Sequence, residues 1–422
     1  MWWTSGGPWV AASGSDILPV TADVTRPATR FGALSRRARA RQAWIIAAAV
    51  GAFVATAFAL YVFQVAPGTL GLDLPAYTEA AARLLATGSP YSEEIHRGPL
   101  DHLVANIPVN YVYPPPVAQL FVPLSVIPLP LLSVLWTVSQ WVILGALLVV
   151  LDRRVTGTAD TGRAVLILLG TAALHPVQVG LYIGGVSGWI AILVCLVLLG
   201  SPALRAGSTA AAAWIKVIPG SFAVGALVDR ETRRATFVAG VAMFAVSFAL
   251  SPRAWLDFVA VLPSLVAMPA AVTHANYAPA YLVAGAAGPA AASVVWIMLP
   301  AAFLAMTVVN AIASRRLAWV AAAAGMYLTA TATSWQQYFV VLVPIAVAAW
   351  PAMSARFRWL VVLLWAWYSF AWFASAAAWH QWIGTGLWLG FLLWIGLAPV
   401  WARARARASD RESTGRPAAA EG

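Results

Sequence analysis

The sequence predicts an all-α, polytopic transmembrane helical bundle, and three observations predict it. Apolar residues make up 61% of the 422-residue chain, mean hydropathy is +0.79, and there are 22 tryptophans. That composition lies outside the range of ordinary soluble domains. Many apolar runs reach about 18 residues or more, the length that crosses a ~30 Å hydrocarbon core. The arginines gather in short clusters between these runs, as the positive-inside pattern requires. The chain has room for about ten to twelve spans packed as one unit.

The clusters are Arg36, Arg37, Arg39 and Arg41; Arg153 and Arg154; Arg230, Arg233 and Arg234; Arg315 and Arg316; Arg356 and Arg358; and Arg403, Arg405 and Arg407. Alternating sides from a cytoplasmic N-terminus puts 22 of the 25 arginines inside and leaves Arg83, Arg97 and Arg253 outside. The net charge of +11 therefore reads as membrane topology and contact with anionic lipid headgroups, with no nucleic acid implied. The single cysteine, Cys195, lies in an apolar run and permits no internal disulfide. Residues 1–42 read as a disordered cytoplasmic leader, 43–402 as a single membrane domain, and 403–422 as a disordered cytoplasmic tail.

Residues 43–65 are expected to cross outward, leaving 66–114 on the outer side. Within that loop, Asp73 to Thr87 carries Leu74, Tyr77, Ala81, Leu84 and Leu85 at helical spacing, with Glu79 and Arg83 as an i,i+4 pair. This predicts an amphipathic helix on the outer face, stopped by Gly88 and Pro90. Residues 115–128 are apolar but short and proline-broken, so they read as a re-entrant or interfacial piece. The outer loop with its surface helix and re-entrant piece thus covers 66–128.

Residues 130–151 must then run inward to Asp152, Arg153 and Arg154, with 164–183 going out and 187–201 returning. Arg205 and the DRETRR run at 229–234 both belong inside. The residues between them carry Lys216 and Pro219 near their middle, which predicts two half-helices in a broken hairpin. Residues 235–250 go out, 251–286 form a second outer segment with Trp255, Asp257, His274, Asn276 and Tyr277, and 289–312 return. Spans near 317–333, 337–353, 359–377 and 383–401 complete the bundle.

The chain has 15 acidic residues, and five of them (Asp73, Glu79, Glu93, Glu94 and Asp101) lie in the first outer loop. Asp73 has two readings. One is a helix N-terminal carboxylate favoured by the macrodipole by about 0.3–1 kcal/mol. The other is a general base at the membrane boundary, its pKa raised by partial desolvation and its carboxyl held by Tyr77 one turn on.

Lys216 is the only lysine. Eleven residues past Arg205, it lies roughly 16 Å along a helix, near mid-membrane. An ammonium there marks a functional cavity unless it snorkels; its function would be to bind a phosphate or pair with a carboxylate. The sequence offers it no acidic partner at that depth. His175, Gln178, and the Ser334-to-Tyr338 run with Trp335, Gln336 and Gln337 read either as kink and interface residues or as polar lining of a cavity. His380 reads as interfacial. The five histidines are scattered and no zinc spacing, P-loop or GxGxxG occurs, so no metal, nucleotide or other cofactor is expected.

Several of these pieces occur in a fixed order. They are D-x-x-x-Y after the first span (Asp73, Tyr77), L-x-x-G-x-P-Y (Leu85 to Tyr91), Y-P-P (Tyr113 to Pro115), K-x-x-P (Lys216 to Pro219), and S-W before a late span (Ser334, Trp335). This order resembles glycosyltransferase family 87, the actinobacterial polyprenyl-phosphate-mannose-dependent α-1,2-mannosyltransferases and related arabinofuranosyltransferases. The resemblance runs from about residue 43 to 350.

It implies a GT-C bundle in the plasma membrane with its active site on the outer face. The implied donor is a polyprenyl-phosphate sugar, and the acceptor is a glycolipid or lipoglycan of the cell envelope. Asp73 would deprotonate the acceptor, the sugar would be transferred with inversion, and Lys216 and Arg253 would hold the leaving phosphate. Tyr77, Tyr113, His175, Gln178, Asn276, Trp335, Gln336 and Gln337 are the implied substrate contacts. Two departures touch those contacts. Gln336 and Gln337 stand where the family often has histidine, and Gly184-Gly-Val-Ser-Gly188 where it often has G-Q-x-N. A lipid or solute transporter is the reading from another class; a non-catalytic membrane scaffold is a third.

Overall fold

The computed structural model of the chain describes residues 70–97, 111–266, 276–331, 334–369 and 377–414. The leader at 1–42, the first expected span at 43–65, Asp101 and His274 lie outside these residues. Among the described residues the chain is an all-α helical bundle with no strand, and its one β-bridge pairs Asn276 with Trp335.

Helix α1 (Leu74–Thr87) forms where the apolar spacing predicts it. Pro75 sits in its first turn, where a missing N–H is harmless, and Gly88 ends it in the left-handed region at φ +77°. Glu79 and Arg83 pair at 3.7 Å. The helix buries Leu74, Tyr77, Ala80, Ala81 and Leu84 while Leu85 is exposed. A short α2 (Glu93–Arg97) follows.

Helix α3 (Pro115–Leu124) is the expected non-spanning piece, and it packs on α1. Its N-terminus is held by Tyr111, whose hydroxyl donates to the Pro114 carbonyl and accepts from the Ala118 N–H.

Helix α4 (Leu129–Thr156) carries Arg153 and Arg154 in its last turn, where the macrodipole favours cations. Asp152 ties it to Arg163 of α5 (Thr161–Ala173) at 2.6 Å. The single span expected over 164–183 is instead two helices, α5 and α6 (His175–Ile183). The break has a local cause: Pro176 has no N–H, so it cannot donate to the Ala172 carbonyl and continue the helical ladder. Leu174 is accordingly extended, at ψ 121°.

After α7 (Ser187–Leu199) comes the broken hairpin. Helix α8 (Pro202–Ile215) ends at an extended Lys216 (φ −155°, ψ 135°), and α9 (Gly220–Val228) starts after Pro219. The two far ends of the hairpin meet, as the shared-side argument requires: Arg205 reaches Asp229 at 3.5 Å and Glu231 at 2.5 Å. Arg316 joins this end through Glu231 at 4.0 Å and through the Leu198 carbonyl.

Helices α10 (Arg233–Leu250) and α11 (Pro252–Val266) lead to α12 (Pro279–Ile312), which kinks at Gly288. Helix α13 (Arg316–Thr329) precedes a 3₁₀ turn, Gln336–Val341, that runs into α14 (Leu342–Ala349). Helices α15 (Ala355–Ser369) and α16 (Ala378–Thr414) close the chain. The last helix continues to Thr414, where a disordered tail is expected from 403. Alternating Ala and Arg are strong helix formers, and extending a formed helix needs no new nucleus.

Helices α4, α10, α12 and the Ala378–Pro399 part of α16 are long and apolar enough to cross a membrane. The outward faces of α10 and α12 carry Phe237, Val241, Phe244, Val294, Ile297 and Met298, a surface suited to hydrocarbon. The crossings expected at 164–183 and 337–353 are assembled from shorter, broken pieces, and the hairpin expected between Arg205 and Asp229 is likewise two short helices. Those breaks place polar residues inside the bundle.

Candidate active site

The turn before α1 is fixed by the turn after α6. Gly71 N–H donates to the Tyr182 carbonyl at 2.8 Å and Asp73 N–H to the Ile183 carbonyl at 2.7 Å. Gly71 and Gly184 both have left-handed backbones (φ +83° and +70°), and a Cβ on Gly184 would lie 2.7 Å from the Gly71 Cα. Only glycine permits two turns to cross so closely. Beside them a Cβ on Gly185 would come 3.0 Å from Asp73 Oδ2, so the carboxylate lies against the Gly185 backbone.

The Asp73 side chain makes no capping hydrogen bond to α1. It instead accepts from the Tyr77 hydroxyl at 3.3 Å, long for an O–H···O bond. Burial pushes its pKa up to about 6, against the lowering effects of the Tyr77 bond and the Lys216 charge.

Lys216 approaches from the tip of the hairpin. Its Nζ donates to the Tyr338 hydroxyl and sits over that ring, 3.7 Å from the centroid. The Tyr113 ring is 5.9 Å away and stands edge-on to Tyr77 at 5.2 Å. Asp73 and Lys216 interact electrostatically across this group of phenols. The expectation that Lys216 lacks an acidic partner is thus corrected. The partner arrives from the loop before α1, which sequence distance from Lys216 conceals. Asp73, Tyr113, Lys216 and Tyr338 each keep part of their surface exposed, whereas Tyr77 and Tyr327 behind them are fully buried. The four form one partly open, charged recess.

A second polar group lies around the 3₁₀ turn. Asn276 Oδ1 accepts from the N–H groups of Ala278 and Ser334, both at 3.0 Å, and Tyr277 N–H donates to the Ser334 carbonyl. Asn276 therefore pins the Ser334–Trp335 segment. Gln336 donates to the Tyr277 hydroxyl at 3.4 Å, and that hydroxyl lies 3.1 Å from His380 Nδ1.

His380, expected at an interface, is buried and stacked on Trp367 at 4.7 Å; a hydrogen-bond partner makes that burial tolerable. His175 and His380 are close enough to interact electrostatically. Gln178 donates to the Ala172 carbonyl, spanning the α5–α6 break, and Gln337 lies against Gly180. Gln336 and Tyr338, two residues apart on one turn, thus belong to different groups and join them.

Arg253 is not part of either group. It donates to the Thr87 carbonyl at 2.9 Å and faces Asp257 at 3.8 Å, so it braces the C-terminal end of α1. That end is about 20 Å from Asp73 along the helix. Tyr327 and Tyr277 are not among the sequence candidates, and Tyr338 enters there only as the end of the Ser334-to-Tyr338 run. Their only signal is adjacency to polar candidates, since tyrosines in a membrane protein read as interfacial by default. Among the described residues no three His, Cys, Asp or Glu side chains gather.

An all-helical membrane bundle with a carboxylate and an ammonium among shared phenols defines a polytopic protein with a polar group of titratable side chains inside the bundle. Residues 111–335 match the family model for Glycosyltransferase family 87, and the chain belongs to that family. It is a membrane glycosyltransferase. No curated protein and no solved structure matches it. The matched range holds Tyr113, Lys216 and Trp335 but begins after Asp73; Asp73 joins the site through Ile183, Gly185 and Lys216.

Proposed function

We propose that the chain transfers a sugar, mannose in the first reading, from a polyprenyl-phosphate donor to a hydroxyl of a cell-envelope glycolipid or lipoglycan. The reaction takes place at the outer face of the plasma membrane, with both termini cytoplasmic. The observation that carries this reading is that Asp73 and Lys216, both partly exposed, interact electrostatically around one set of phenols. Displacement at an anomeric carbon needs a base on the acceptor side and positive charge on the leaving-group side. Asp73, with a pKa near 6, is suited to take the acceptor proton near neutral pH. Lys216 is suited to hold the leaving phosphate. Attack from the face opposite the phosphate gives inversion.

Tyr77 orients the base, and Tyr113 borders both Tyr77 and the Lys216 ammonium. His175, Gln178, Trp335, Gln336 and Gln337, on α6 and the 3₁₀ turn, are the proposed contacts to sugar or acceptor. The reading needs no cofactor beyond the lipid-linked sugar. Polyprenyl-phosphate-arabinofuranose is the alternative donor. A transporter remains the alternative of another class, because paired ionisable residues inside a bundle also suit a solute pathway.

The deciding experiment measures transfer of radiolabelled mannose from polyprenyl-phosphate-mannose, with wild type beside Asp73→Asn. Transfer by the wild type and its loss in the variant support the reading. Equal rates remove Asp73 as base. Failure of the wild type with both this donor and decaprenyl-phosphate-arabinose overturns the reading.

A further inference from the structure

We propose that the Tyr338 hydroxyl, held by Lys216, is a second hydrogen-bond donor to the phosphate that departs with the lipid. This deepens the transferase reading and rests on it. An ammonium carries three donors and no acceptor. Among the described residues, the hydrogen bond Lys216 makes is to Tyr338, which leaves donor capacity unspent. The Tyr338 oxygen accepts that bond, so its own proton is available for something else. Both side chains keep part of their surface exposed. Asp73 does not consume these donors, because its hydrogen bond comes from Tyr77.

Behind Tyr338, at a ring distance of 5.5 Å, stands Tyr327. Its hydroxyl is fully buried and has no hydrogen-bond partner among the described residues. It interacts electrostatically with Tyr338 and Tyr113. This side of the recess therefore presents an ammonium and the Tyr338 phenolic proton, while Asp73, the recess's own acceptor, takes its hydrogen bond from Tyr77. A sugar hydroxyl, which donates as well as accepts, would use such a wall poorly. A phosphate monoester offers several terminal oxygens that only accept, and suits it well.

The step balances without further reagents. The acceptor oxygen bonds to the anomeric carbon as its proton passes to Asp73. The bond from that carbon to the phosphate oxygen breaks, and its electron pair stays on the phosphate. The lipid monophosphate leaves as a dianion, and the hydrogen bonds from Lys216 and Tyr338 strengthen as that charge develops. Tyr338 donates a hydrogen bond and keeps its proton.

The test uses the purified full-length chain in detergent, with farnesyl phosphate as probe and farnesol as the control lacking phosphate. Wild type is expected to prefer the phosphate. Tyr338→Phe keeps the ring beneath Lys216 and removes only the hydroxyl. It should weaken farnesyl phosphate binding about tenfold or more, as loss of a charge-assisted hydrogen bond does, and leave farnesol binding unchanged. Full retention of phosphate preference in Tyr338→Phe overturns the assignment while leaving the transferase reading intact. If wild type itself does not distinguish the two probes, the lipid-phosphate reading fails and this assignment falls with it.

Inorganic phosphate distinguishes the sources. Displacement of the probe by millimolar phosphate supports a site that recognises the phosphate group alone. No displacement supports one that also requires the lipid tail.

Discussion

The backbone N–H of Asp73 donates to the carbonyl of Ile183 at 2.7 Å, and this bond sets where the carboxylate lies. Asp73 precedes α1 but does not cap it with its side chain. It is held by the turn after α6, against Gly185 and in the field of Lys216. Placement by a distant backbone segment makes the carboxylate sensitive to the geometry of both turns.

Burial raises the Asp73 pKa to about 6, and a base works only when deprotonated. Below about pH 6 the working fraction falls tenfold per unit, so kcat/KM should rise with unit slope and then level off above that value. Asp73→Asn should lower kcat by about 10²–10⁴-fold and remove this acid limb from the residual rate. A pH profile of transfer checks both. An acid limb centred near 4, the ordinary aspartate value, would exclude a desolvated base.

Gly184→Ala should disrupt the site through the backbone. Its φ is +70° and the added Cβ would meet the Gly71 Cα at 2.7 Å, where neither backbone can yield cheaply. A loss of about 1–3 kcal/mol from the strained conformation, with a further penalty from the clash, should appear as a lower melting temperature and loss of transfer. Gly157 is the control: its φ is +69° but nothing lies within 4 Å of an added Cβ. Gly157→Ala should carry only the conformational term and leave transfer intact. Equal damage from both variants would mean that the Gly71–Gly184 crossing does not hold Asp73.

The sequence makes the bundle legible because composition, span length and arginine clusters act locally and additively. It also makes the broken hairpin legible, since charge placement forbids a single crossing between Arg205 and Arg230. The α5–α6 break is less legible: Pro176 marks a kink, but whether a kink becomes a break depends on what packs against it. The site is legible in its members Asp73, Tyr77, Tyr113 and Lys216. Their mutual approach is not, because it is set by the Gly71–Gly184 crossing and by the 3₁₀ turn carrying Tyr338. Arg253 is expected from the sequence as a phosphate ligand, and its place at the end of α1, donating to the Thr87 carbonyl, is set by the fold and not legible in the sequence.

The closed end of the hairpin should matter for stability. Arg205 and Asp229 are 2% and 1% exposed, and Arg205 also reaches the more exposed Glu231. Arg205→Ala would leave Asp229 as a buried charge without its counter-ion, a loss of about 3–5 kcal/mol. Glu231→Gln keeps the buried Arg205–Asp229 pair and should perturb much less. Thermal unfolding in detergent measures both. Similar melting temperatures for the two variants would show that the hairpin is held by helix packing alone.

The proposed orientation can be read from one engineered cysteine. Glu93 is exposed at the start of α2, on the same stretch of chain as α1 and the Asp73 turn. The native Cys195 is buried in α7, so it should contribute little background labelling. In intact cells, Glu93→Cys should react with a membrane-impermeant thiol reagent. A cysteine at Arg230, exposed in the loop after α9, should react only after the membrane is permeabilised. The opposite pattern would put the recess on the cytoplasmic side. The lipid-phosphate donor would then have to be presented from the inner leaflet, and the outer-face reading would fail while the chemistry assigned to Asp73 and Lys216 could still stand.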